Sequence, residues 1–414
     1  MLLEMSITNF KSILDKVQFS MIASKDTSHE KELYTFGSTR ILRMAPLYGA
    51  NGAGKTTLIE AIGYICFLVR ECNKFQEGDV IPRKPHRLSL DEPTQISVQF
   101  IINNIRYVYG ISITDQKIIE EYLYHFPAGR QAKIFERQGD EFTFGAKYAK
   151  ELSDICIKSK DNKLFLSTAE AWSKLPEIVQ PFKFFKEQVV VHIGEDDNWL
   201  GYTANVIKND ANMKKMVLKF FQEIGMPIKD INIKIEDEDM VSLDMPTQIR
   251  GFIKGIKKLE IKFIYENYEL NLPEESAGTQ KLFKLICPLL DVLSKGKILF
   301  YDEIERSLHP AIILNLLKVI KEWESSCNAQ FVFSTHDTSL LDLNLFRRDQ
   351  IWFAEKNLQR KTSEYYSLIE LKNVRKDENI KNGYITGRYS MIPLKGSSLI
   401  EVLEGDAKCN EILN

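Results

Sequence analysis

The segment from Gly49 to Thr57 has the residue types and the spacing that bind nucleotide phosphates. It reads GANGAGKTT, which contains the pattern GxxxxGK[ST] between an apolar strand-like stretch and an apolar helix-like stretch. The glycines allow backbone amides to wrap a phosphate, and the start of a helix adds positive potential. The sequence therefore predicts a phosphate loop that binds ATP through Gly49, Asn51, Gly52, Ala53, Gly54, Lys55, Thr56 and Thr57.

Two side chains of this loop are suited to act on a bound nucleotide. Lys55 is expected to reach the β- and γ-phosphates, and we count it among the catalytic residues. Thr56 offers a hydroxyl oxygen, which is a ligand type that Mg²⁺ prefers. The cofactors predicted here are therefore ATP and Mg²⁺.

Two acids follow the apolar stretch Ile298–Tyr301. Such a stretch is typical of a buried central strand whose carboxyl end faces a phosphate loop. We expect Asp302 to hold Mg²⁺ through water, and Glu303 to orient and deprotonate the water that attacks the γ-phosphate. An ordinary acidic pair after a strand is the alternative, which the phosphate loop upstream disfavours.

Two weaker motifs accompany these sites. Ser276, in the sequence ESAGTQ, lies 26 residues before Asp302 at a predicted helix start, where its hydroxyl can cap the helix and grip a γ-phosphate. His336 ends a second apolar stretch 33 residues after Glu303, where it can sense the γ-phosphate and support the attacking water. Taken alone, each residue has a purely structural interpretation, as a helix cap and as a strand-end histidine.

The elements that must position these residues predict an α/β fold. Alternating apolar residues over 95–123 indicate an antiparallel meander. Alternating helical and strand-like stretches after residue 271 indicate a parallel α/β sheet. We expect an N-terminal ATPase half over 1–145, an inserted helical lobe over 146–225 and a C-terminal ATPase half over 226–414. After residue 271 the predicted elements are a helix (279–293), a strand (298–301), a helix (311–324), a strand (330–334) and a strand near 351–354.

The composition fits an ordinary globular protein. Of the 414 residues, 44% are hydrophobic and 27% are charged, which disfavours disordered and coiled-coil classes. A net charge of −2 argues against a uniformly basic surface for nucleic acid, but local pairs such as Lys257-Lys258 and Arg347-Arg348 leave nucleic acid open as a partner. The six scattered cysteines lack metal-binding spacing. Because we find no secretory leader and no membrane-length apolar run, we expect a cytoplasmic protein without membrane contact.

The motif order phosphate loop, ESAGTQ, YDE, SLHP and STH resembles the ABC/SMC-like head ATPases. This resemblance implies a P-loop ATPase head with an antiparallel β subdomain, a parallel α/β core and an inserted helical lobe. It implies that residues 307–310 cross a dimer seam and that one subunit completes the nucleotide site of another, so we expect a homo-oligomer that is at least a dimer. The residues implied to contact nucleotide in this way are Ser276, Gly278 and Gln280 in trans, and Asn9, Phe10 and Lys11 nearby.

Further stretches, among them ITNFKSI, THDTSLLD and RRDQIWFAEK, resemble the AAA-family, SMC-like ATPases of bacterial abortive-infection and anti-phage operons, which include relatives of the overcoming-lysogenisation-defect proteins. The resemblance implies a sensor or regulatory ATPase that controls a separately encoded effector, often a nuclease, in answer to a phage trigger. Those relatives carry a C-terminal TOPRIM nuclease with no counterpart here, so we expect any cutting to come from the effector.

Two other functions stay open at this stage. The first is a slow-turnover, nucleotide-gated scaffold that sequesters an effector, and the second is an SMC-like DNA-repair ATPase, which the absence of long heptad arms disfavours. The aromatic segment near the C-terminus, with Tyr384, Gly387, Arg388 and Tyr389, fits partner docking and domain packing equally well.

Overall fold

The structure is a computed structural model that describes residues 1–194, 198–237, 257–306, 308–323, 328–371, 374 and 378–389. Its strands are β1 Leu2–Thr8, β2 Val17–Ser20, β3 Tyr34–Phe36, β4 Thr39–Ile41, β5 Met44–Tyr48, β6 Thr94–Ile102, β7 Ile105–Ile113, β8 Ile118–Phe126, β9 Ala132–Gln138, β10 Glu141–Phe144, β11 Val189–His192, β12 Asp230–Asp237, β13 Lys257–Ile264, β14 Glu269–Asn271, β15 Ile298–Tyr301, β16 Gln330–Ser334, β17 Trp352–Asn357 and β18 Thr362–Ser367. Its α-helices are α1 Lys55–Glu71, α2 Ala149–Cys156, α3 Phe165–Trp172, α4 Pro176–Lys183, α5 Asn198–Asn209, α6 Ala211–Glu223, α7 Ala277–Lys295, α8 Pro310–Glu322 and α9 Ile380–Ile385.

The chain forms two compact units. Unit 1 comprises Met1–Ile193, Gly296–Ile304 and Ser326–Asn414, and unit 2 comprises Gly194–Lys295 and Glu305–Ser325. Each unit is therefore built from segments that are far apart in the sequence.

An antiparallel sheet forms the first layer of unit 1, with the strand order β10-β9-β8-β7-β6-β1-β2. Along β6, Ile96, Val98 and Phe100 are buried while Gln95 is exposed, which is the two-residue period of a strand with one face on the core. Strands β6, β7 and β8 pair antiparallel in sequence order. The predicted meander over 95–123 is confirmed.

The second sheet of unit 1 has the order β11-β15-β16-β5-β17-β18, in which β18 alone runs antiparallel to its neighbour. Strands β5, β15 and β16 are buried along their whole length, as expected for parallel strands that are covered on both faces. Because β16 lies between β15 and β5, the carboxyl ends of these three strands meet at one edge. The predicted α/β class, with an antiparallel subdomain and a parallel core, is confirmed.

Helix α1 joins the two sheets of unit 1 through one hydrophobic core. Its residues Ile62 and Ile65 belong to the same buried cluster as Val98 of β6 and Phe300 of β15. Gly63 lets the helix approach β11 closely, since a Cβ atom there would lie 3.4 Å from Val191 Cγ1. This packing fixes the N-terminus of α1 at the edge of the parallel sheet.

The stretch 146–225 contains the predicted helices, but the contacts divide it between the two units. Helices α2, α3 and α4 belong to unit 1, and α5 and α6 belong to unit 2. The division occurs because β11, with the sequence VVVH, pairs in parallel with β15 in the central sheet. Sequence periodicity alone did not separate this short strand from the helices around it.

Unit 2 packs helices on a small antiparallel sheet with the order β12-β13-β14. Phe263 of β13 contacts Phe221 of α6 and Phe283 of α7, with ring centroids 6.4 and 5.3 Å apart respectively. Helix α7 matches the helix predicted over 279–293, with two further residues at each end. Of the described helices in either unit, none is long and apolar enough to cross a membrane.

Candidate functional site

The phosphate loop connects β5 to α1 and depends on glycine at defined positions. Gly49, Gly52 and Gly54 have φ values of 153°, 77° and 110°, which side-chain-bearing residues rarely adopt. A Cβ atom on Gly54 would lie 2.4 Å from Ser363 Oγ, and one on Gly49 would lie 2.4 Å from the carbonyl oxygen of Ala354. Both the backbone conformation and the close neighbours therefore exclude larger residues at Gly49 and Gly54.

The lysine of the loop is held over its backbone. Lys55 is buried, and its Nζ donates hydrogen bonds to the carbonyl oxygens of Gly49 at 2.8 Å and Ala50 at 3.2 Å. Asn51 is exposed at the tip of the loop, whereas Ala53 is buried below it. The ammonium group is thus placed at the mouth of a glycine-rich cradle that begins a helix, which is an arrangement that binds phosphates.

The structure brings together Thr56 and Asp302, which are 246 residues apart in the sequence. Thr56 Oγ1 donates a hydrogen bond to Asp302 Oδ2 at 2.8 Å. A hydroxyl and a carboxylate are hard oxygen donors, and Mg²⁺ uses one or two such protein groups together with phosphate oxygens and water. In the described part of the chain, no group of three or more His, Cys, Asp and Glu side chains could hold a metal ion. The two oxygen donors of Thr56 and Asp302 fit Mg²⁺ that is shared with a phosphate.

Glu303 lies directly after Asp302 in a left-handed backbone conformation, with φ of 53°. For a residue other than glycine, such a conformation costs about 1–3 kcal/mol and is concentrated at functional sites. Two hydrogen bonds from the turn to Ser334 offset this cost: Glu303 N donates to Ser334 Oγ at 2.8 Å, and Ile304 N donates to the carbonyl oxygen of Ser334 at 3.1 Å. His336 is half-buried two residues beyond Ser334, on the segment that follows β16.

Two of the N-terminal residues that were predicted to contact nucleotide hold the fold in this structure. Asn9 is buried, and its side chain accepts a hydrogen bond from His86 N at 2.8 Å and donates one to the carbonyl oxygen of Glu92 at 2.7 Å. The buried ring of Phe10 lies 5.4 Å from that of Tyr64. A nucleotide contact by these residues stays a prediction.

Lys11 lines a cavity that adjoins the base of α1. The cavity has a volume of about 600 Å³ and also contains Ser12, whose Oγ donates to Thr57 Oγ1 at 3.0 Å. Lys11 forms an ion pair with Glu60 of α1. The cationic residues that line this cavity are Lys11, Arg83, Lys84, Arg87, Lys356 and Lys361.

Supports for the phosphate loop come from β18 and α9, which lie outside the motifs of the nucleotide site. Tyr365 donates a hydrogen bond to the carbonyl oxygen of Gly54 at 2.6 Å, and Ser363 donates to Ser12 Oγ at 2.8 Å. Burial raises the pKa of Tyr365, so its hydroxyl stays a donor at neutral pH. Burial also raises the pKa of Tyr384, whose hydroxyl meets the backbone of Gly49. Neither tyrosine belongs to a nucleotide-binding motif, and only the tertiary contacts identify them as supports for the loop.

The ESAGTQ residues, here called the signature segment (275–280), lie in unit 2. Ser276 is exposed, and its Oγ accepts a hydrogen bond from Thr279 N at 3.1 Å, which confirms the predicted helix cap. Gln280 Nε2 donates to the carbonyl oxygen of Glu275 at 2.9 Å, and Gly278 lies in the first turn of α7. By contrast, the phosphate loop, the acid pair and His336 belong to unit 1.

The predicted dimer-seam segment 307–310 is described only in part. Position 307 lies outside the described residues. His309 caps helix α8, because its Nδ1 accepts a hydrogen bond from Ala311 N at 3.2 Å. The dimer-seam role stays a prediction.

The suggestion that Arg347-Arg348 meets nucleic acid is corrected by the structure. The fully buried guanidinium of Arg347 donates to Asp349 Oδ2 at 2.8 Å and to the carbonyl oxygen of Asp26 at 2.9 Å. Arg348 pairs with the Asp26 carboxylate at 2.8 Å. Burial raises the pKa of the Asp26 carboxyl. Hydrogen bonds from Ser28 and Arg348 lower that pKa by a larger amount, so the net shift is downward. Both arginines therefore form ion pairs within unit 1. The side chains of Lys257 and Lys258 lie outside the described residues.

The aromatic C-terminal segment packs within unit 1. The buried rings of Tyr384 and Tyr389 lie 5.7 and 6.1 Å from that of Phe353 on β17. Tyr366 donates a hydrogen bond to the carbonyl oxygen of Tyr389. Of the two open interpretations, the structure supports domain packing for these rings.

The chain is similar to several known proteins. Residues 45–342 match the family described as "AAA domain, putative AbiEii toxin, Type IV TA system". No curated protein matches the chain at a significant level. Similar solved structures include an Smc head bound to the C-terminal winged-helix domain of ScpA, with 13% identity, a TM-score of 0.42, and coverage of 88% of this chain and 97% of that one. The SMC head domain from Thermotoga maritima has 12% identity, a TM-score of 0.43, and coverage of 88% and 98% respectively.

Proposed function

Because the chain belongs to the AAA-domain family named for the AbiEii toxin and type IV toxin–antitoxin systems, we propose that it binds and hydrolyses ATP with Mg²⁺. The observation that carries this proposal is the 2.8 Å hydrogen bond between Thr56 Oγ1 and Asp302 Oδ2, with Glu303 as the next residue. This bond supports the assignment of Thr56 and Asp302 as the metal-binding pair, and of Glu303 as the base, beside the phosphate loop.

The proposed chemistry assigns one task to each side chain. Lys55 and the amides of the loop would bind the β- and γ-phosphates, and Thr56 and Asp302 would hold the metal, Asp302 through water. When bound, Mg²⁺ supplies positive charge that offsets the charge on the transferred phosphoryl group. Glu303 orients and deprotonates the attacking water, and His336 supports that water from the side of the γ-phosphate.

We assign the cavity that contains Lys11 and Ser12 to the sugar and α-phosphate side of the nucleotide. Ser12 connects this cavity to the loop through Thr57. The cationic lining suits a phosphate group. The assignment agrees with the resemblance-based prediction that Lys11 lies near the nucleotide.

We propose that two copies associate head to head, so that Ser276, Gly278 and Gln280 of one copy complete the site of the other. Ser276 is exposed at the N-terminus of a 19-residue helix, where the backbone amides and the helix dipole favour an anion. ATP would then stabilise the closed dimer in proportion to its preference for that state.

In the cell, we propose that the chain is a sensor or regulatory subunit of an anti-phage, abortive-infection-like system. It would control a separately encoded effector, such as a nuclease, after a phage trigger. The family description, which refers to an abortive-infection toxin and a toxin–antitoxin system, supports this role.

The test compares ATP turnover and oligomeric state of the wild type and Glu303→Gln, with and without ATP and Mg²⁺. We expect the wild type to hydrolyse ATP, and the variant to lose turnover by about 100-fold or more while it retains nucleotide in a stable dimer or larger assembly. Glu141→Gln, at an exposed position on the edge strand β10, is the control and should match the wild type.

If the wild type and Glu303→Gln bind ATP and assemble but both turn over equally slowly, the nucleotide-gated scaffold replaces the ATPase proposal. If neither binds ATP, the nucleotide site itself is wrong.

A further inference from the structure

We propose that Ser334 is the residue that positions both acids of the site, Asp302 as the acid that holds Mg²⁺ through water and Glu303 as the group that orients the attacking water. This inference rests on the proposed function and gives a role to Ser334, the first residue of the STH motif, to which the sequence alone assigned none. Ser334 touches neither nucleotide nor metal in this assignment, so it is a positioning residue.

The topology places Ser334 beside the acid pair. Strand β16 pairs in parallel with β15, and Phe333 is the partner of Tyr301 in that register. The next residues along the two strands are Ser334 and Asp302, which therefore lie side by side at the carboxyl edge. Ser334 is fully buried there.

The hydroxyl of Ser334 makes two hydrogen bonds of opposite sense. Its Oγ donates to Asp302 Oδ1 and accepts from Glu303 N at 2.8 Å. A serine hydroxyl has one hydrogen, so the donation to Asp302 and the acceptance from Glu303 fix the direction of that hydrogen. One side chain thus determines the orientation of two consecutive acids.

The bond to Asp302 fixes the rotation of its carboxylate. Oδ1 is held by Ser334, so Oδ2 is directed at Thr56, to which it is hydrogen-bonded at 2.8 Å. The terminal torsion of an aspartate is broad when nothing holds it. Without Ser334, the carboxylate of Asp302 would rotate more freely, and Oδ2 would face Thr56 for only part of the time.

The bond to Glu303 holds a strained turn. Glu303 has φ of 53°, and its amide and the amide of Ile304 donate to the side chain and the carbonyl oxygen of Ser334 respectively. Because both bonds reach the same residue, the turn and the direction of the Glu303 side chain depend on it. Alanine at 334 would leave Asp302 Oδ1 and the Glu303 amide without this partner.

The test measures Mg²⁺ dependence in Ser334→Ala. A fluorescent ATP analogue is titrated in EDTA and at increasing Mg²⁺, and ATP turnover is measured over the same Mg²⁺ range. We expect binding in EDTA to stay near the wild-type value, the Mg²⁺ concentration for half-maximal binding to rise about tenfold, and kcat to fall about 10- to 100-fold with little change in KM, as for other residues that orient a metal ligand.

Ser167→Ala is the matched control. Ser167 is also fully buried in unit 1, and its Oγ donates to the carbonyl oxygen of Val69 at 2.7 Å, away from the acid pair. Removal of its hydroxyl should lower Tm as Ser334→Ala does but leave the Mg²⁺ dependence unchanged. If Ser334→Ala behaves like this control, Ser334 is only structural and the inference is overturned.

Two further outcomes remain decisive. If Ser334→Ala does not fold, Ser334→Thr, which keeps the hydroxyl, is compared with Ser334→Cys, which has a weaker donor; equal Mg²⁺ dependence in these two variants would overturn the inference. If the wild type itself shows no Mg²⁺-dependent binding of the analogue, the proposed function fails as well, which separates that failure from a failure at Ser334 alone.

Discussion

Two serines of this molecule use their hydroxyl groups in contrasting ways. Ser334, at the carboxyl edge of the parallel sheet in unit 1, bonds to Asp302 and Glu303, which are more than 30 positions away in the sequence. Ser276, at the start of α7 in unit 2, bonds to Thr279 within its own helix turn. The first serine joins separate elements, whereas the second completes a local one.

The same contrast holds for the regions around them. At the sheet edge, Thr56, Asp302 and Tyr365 come from distant segments, so the region around the phosphate loop is organised by contacts within one copy. In the signature segment, the side-chain hydrogen bonds of Ser276 and Gln280 reach no further than five residues along the chain. The region around the phosphate loop thus depends on long-range contacts, whereas the signature segment depends on its own helix turn.

The largest effect is expected from Lys55→Ala, which removes the positive charge of the lysine at the phosphate loop. Because Lys55 is the ammonium group over the phosphate cradle, ATP turnover should fall by about 100-fold or more. Lys147→Ala, at a surface ion pair in unit 1, is the control and should keep wild-type turnover. Near-normal turnover in Lys55→Ala would show that the loop is not the catalytic phosphate site.

A mixing experiment tests whether the two regions act in different copies. Lys55→Ala and Ser276→Arg should each be inactive alone, since one lacks the loop lysine and the other blocks the signature segment. In an equal mixture, half of the dimers contain one intact composite site, so activity should recover to about a quarter of the wild-type value. Recovery is measured as ATP turnover after the chains are mixed and allowed to exchange. If exchange occurs without recovery, the signature segment does not act in trans.

A smaller effect is expected from Tyr365→Phe. This change removes the hydrogen bond to Gly54 but keeps the buried ring, so it should weaken ATP binding by about 1 kcal/mol, or roughly fivefold. Isothermal titration with an ATP analogue checks this value. Tyr366→Phe, in which the neighbouring hydroxyl bonds to Glu355 and Tyr389 instead, should bind the analogue as the wild type does.

The smallest effect is expected from Ser276→Ala on the isolated copy. Loss of the cap on α7 should lower the free energy of unfolding by about 1 kcal/mol, measured by urea denaturation without nucleotide. Ser276→Asp keeps a capping side chain and should restore most of this stability. A much larger loss in Ser276→Ala would mean that the segment supports more of unit 2 than its local bonds indicate.

Much of the fold could be predicted because its signals are local. The apolar run of β15, the alternation along β6 and the glycine pattern of the phosphate loop all lie within a few residues, and the structure confirms the strands and the loop. Strand β11 was missed, because four residues between helices carry too little periodicity to indicate a strand. The sequence left Arg347-Arg348 open to nucleic acid, because two adjacent charges do not reveal that Asp349 and Asp26 pair with them in the fold.

The sequence by itself determined the chemistry available to this protein: a phosphate loop, an acid pair after a buried strand and a helix that starts at Ser276. It determined these because glycine conformations, strand burial and helix caps depend on neighbours along the chain. Only the tertiary structure decided which residues serve that chemistry as supports, namely Ser334 beneath the acid pair and Tyr365 beneath the loop. Their roles arise from contacts between strands far apart in the sequence, which no local pattern encodes.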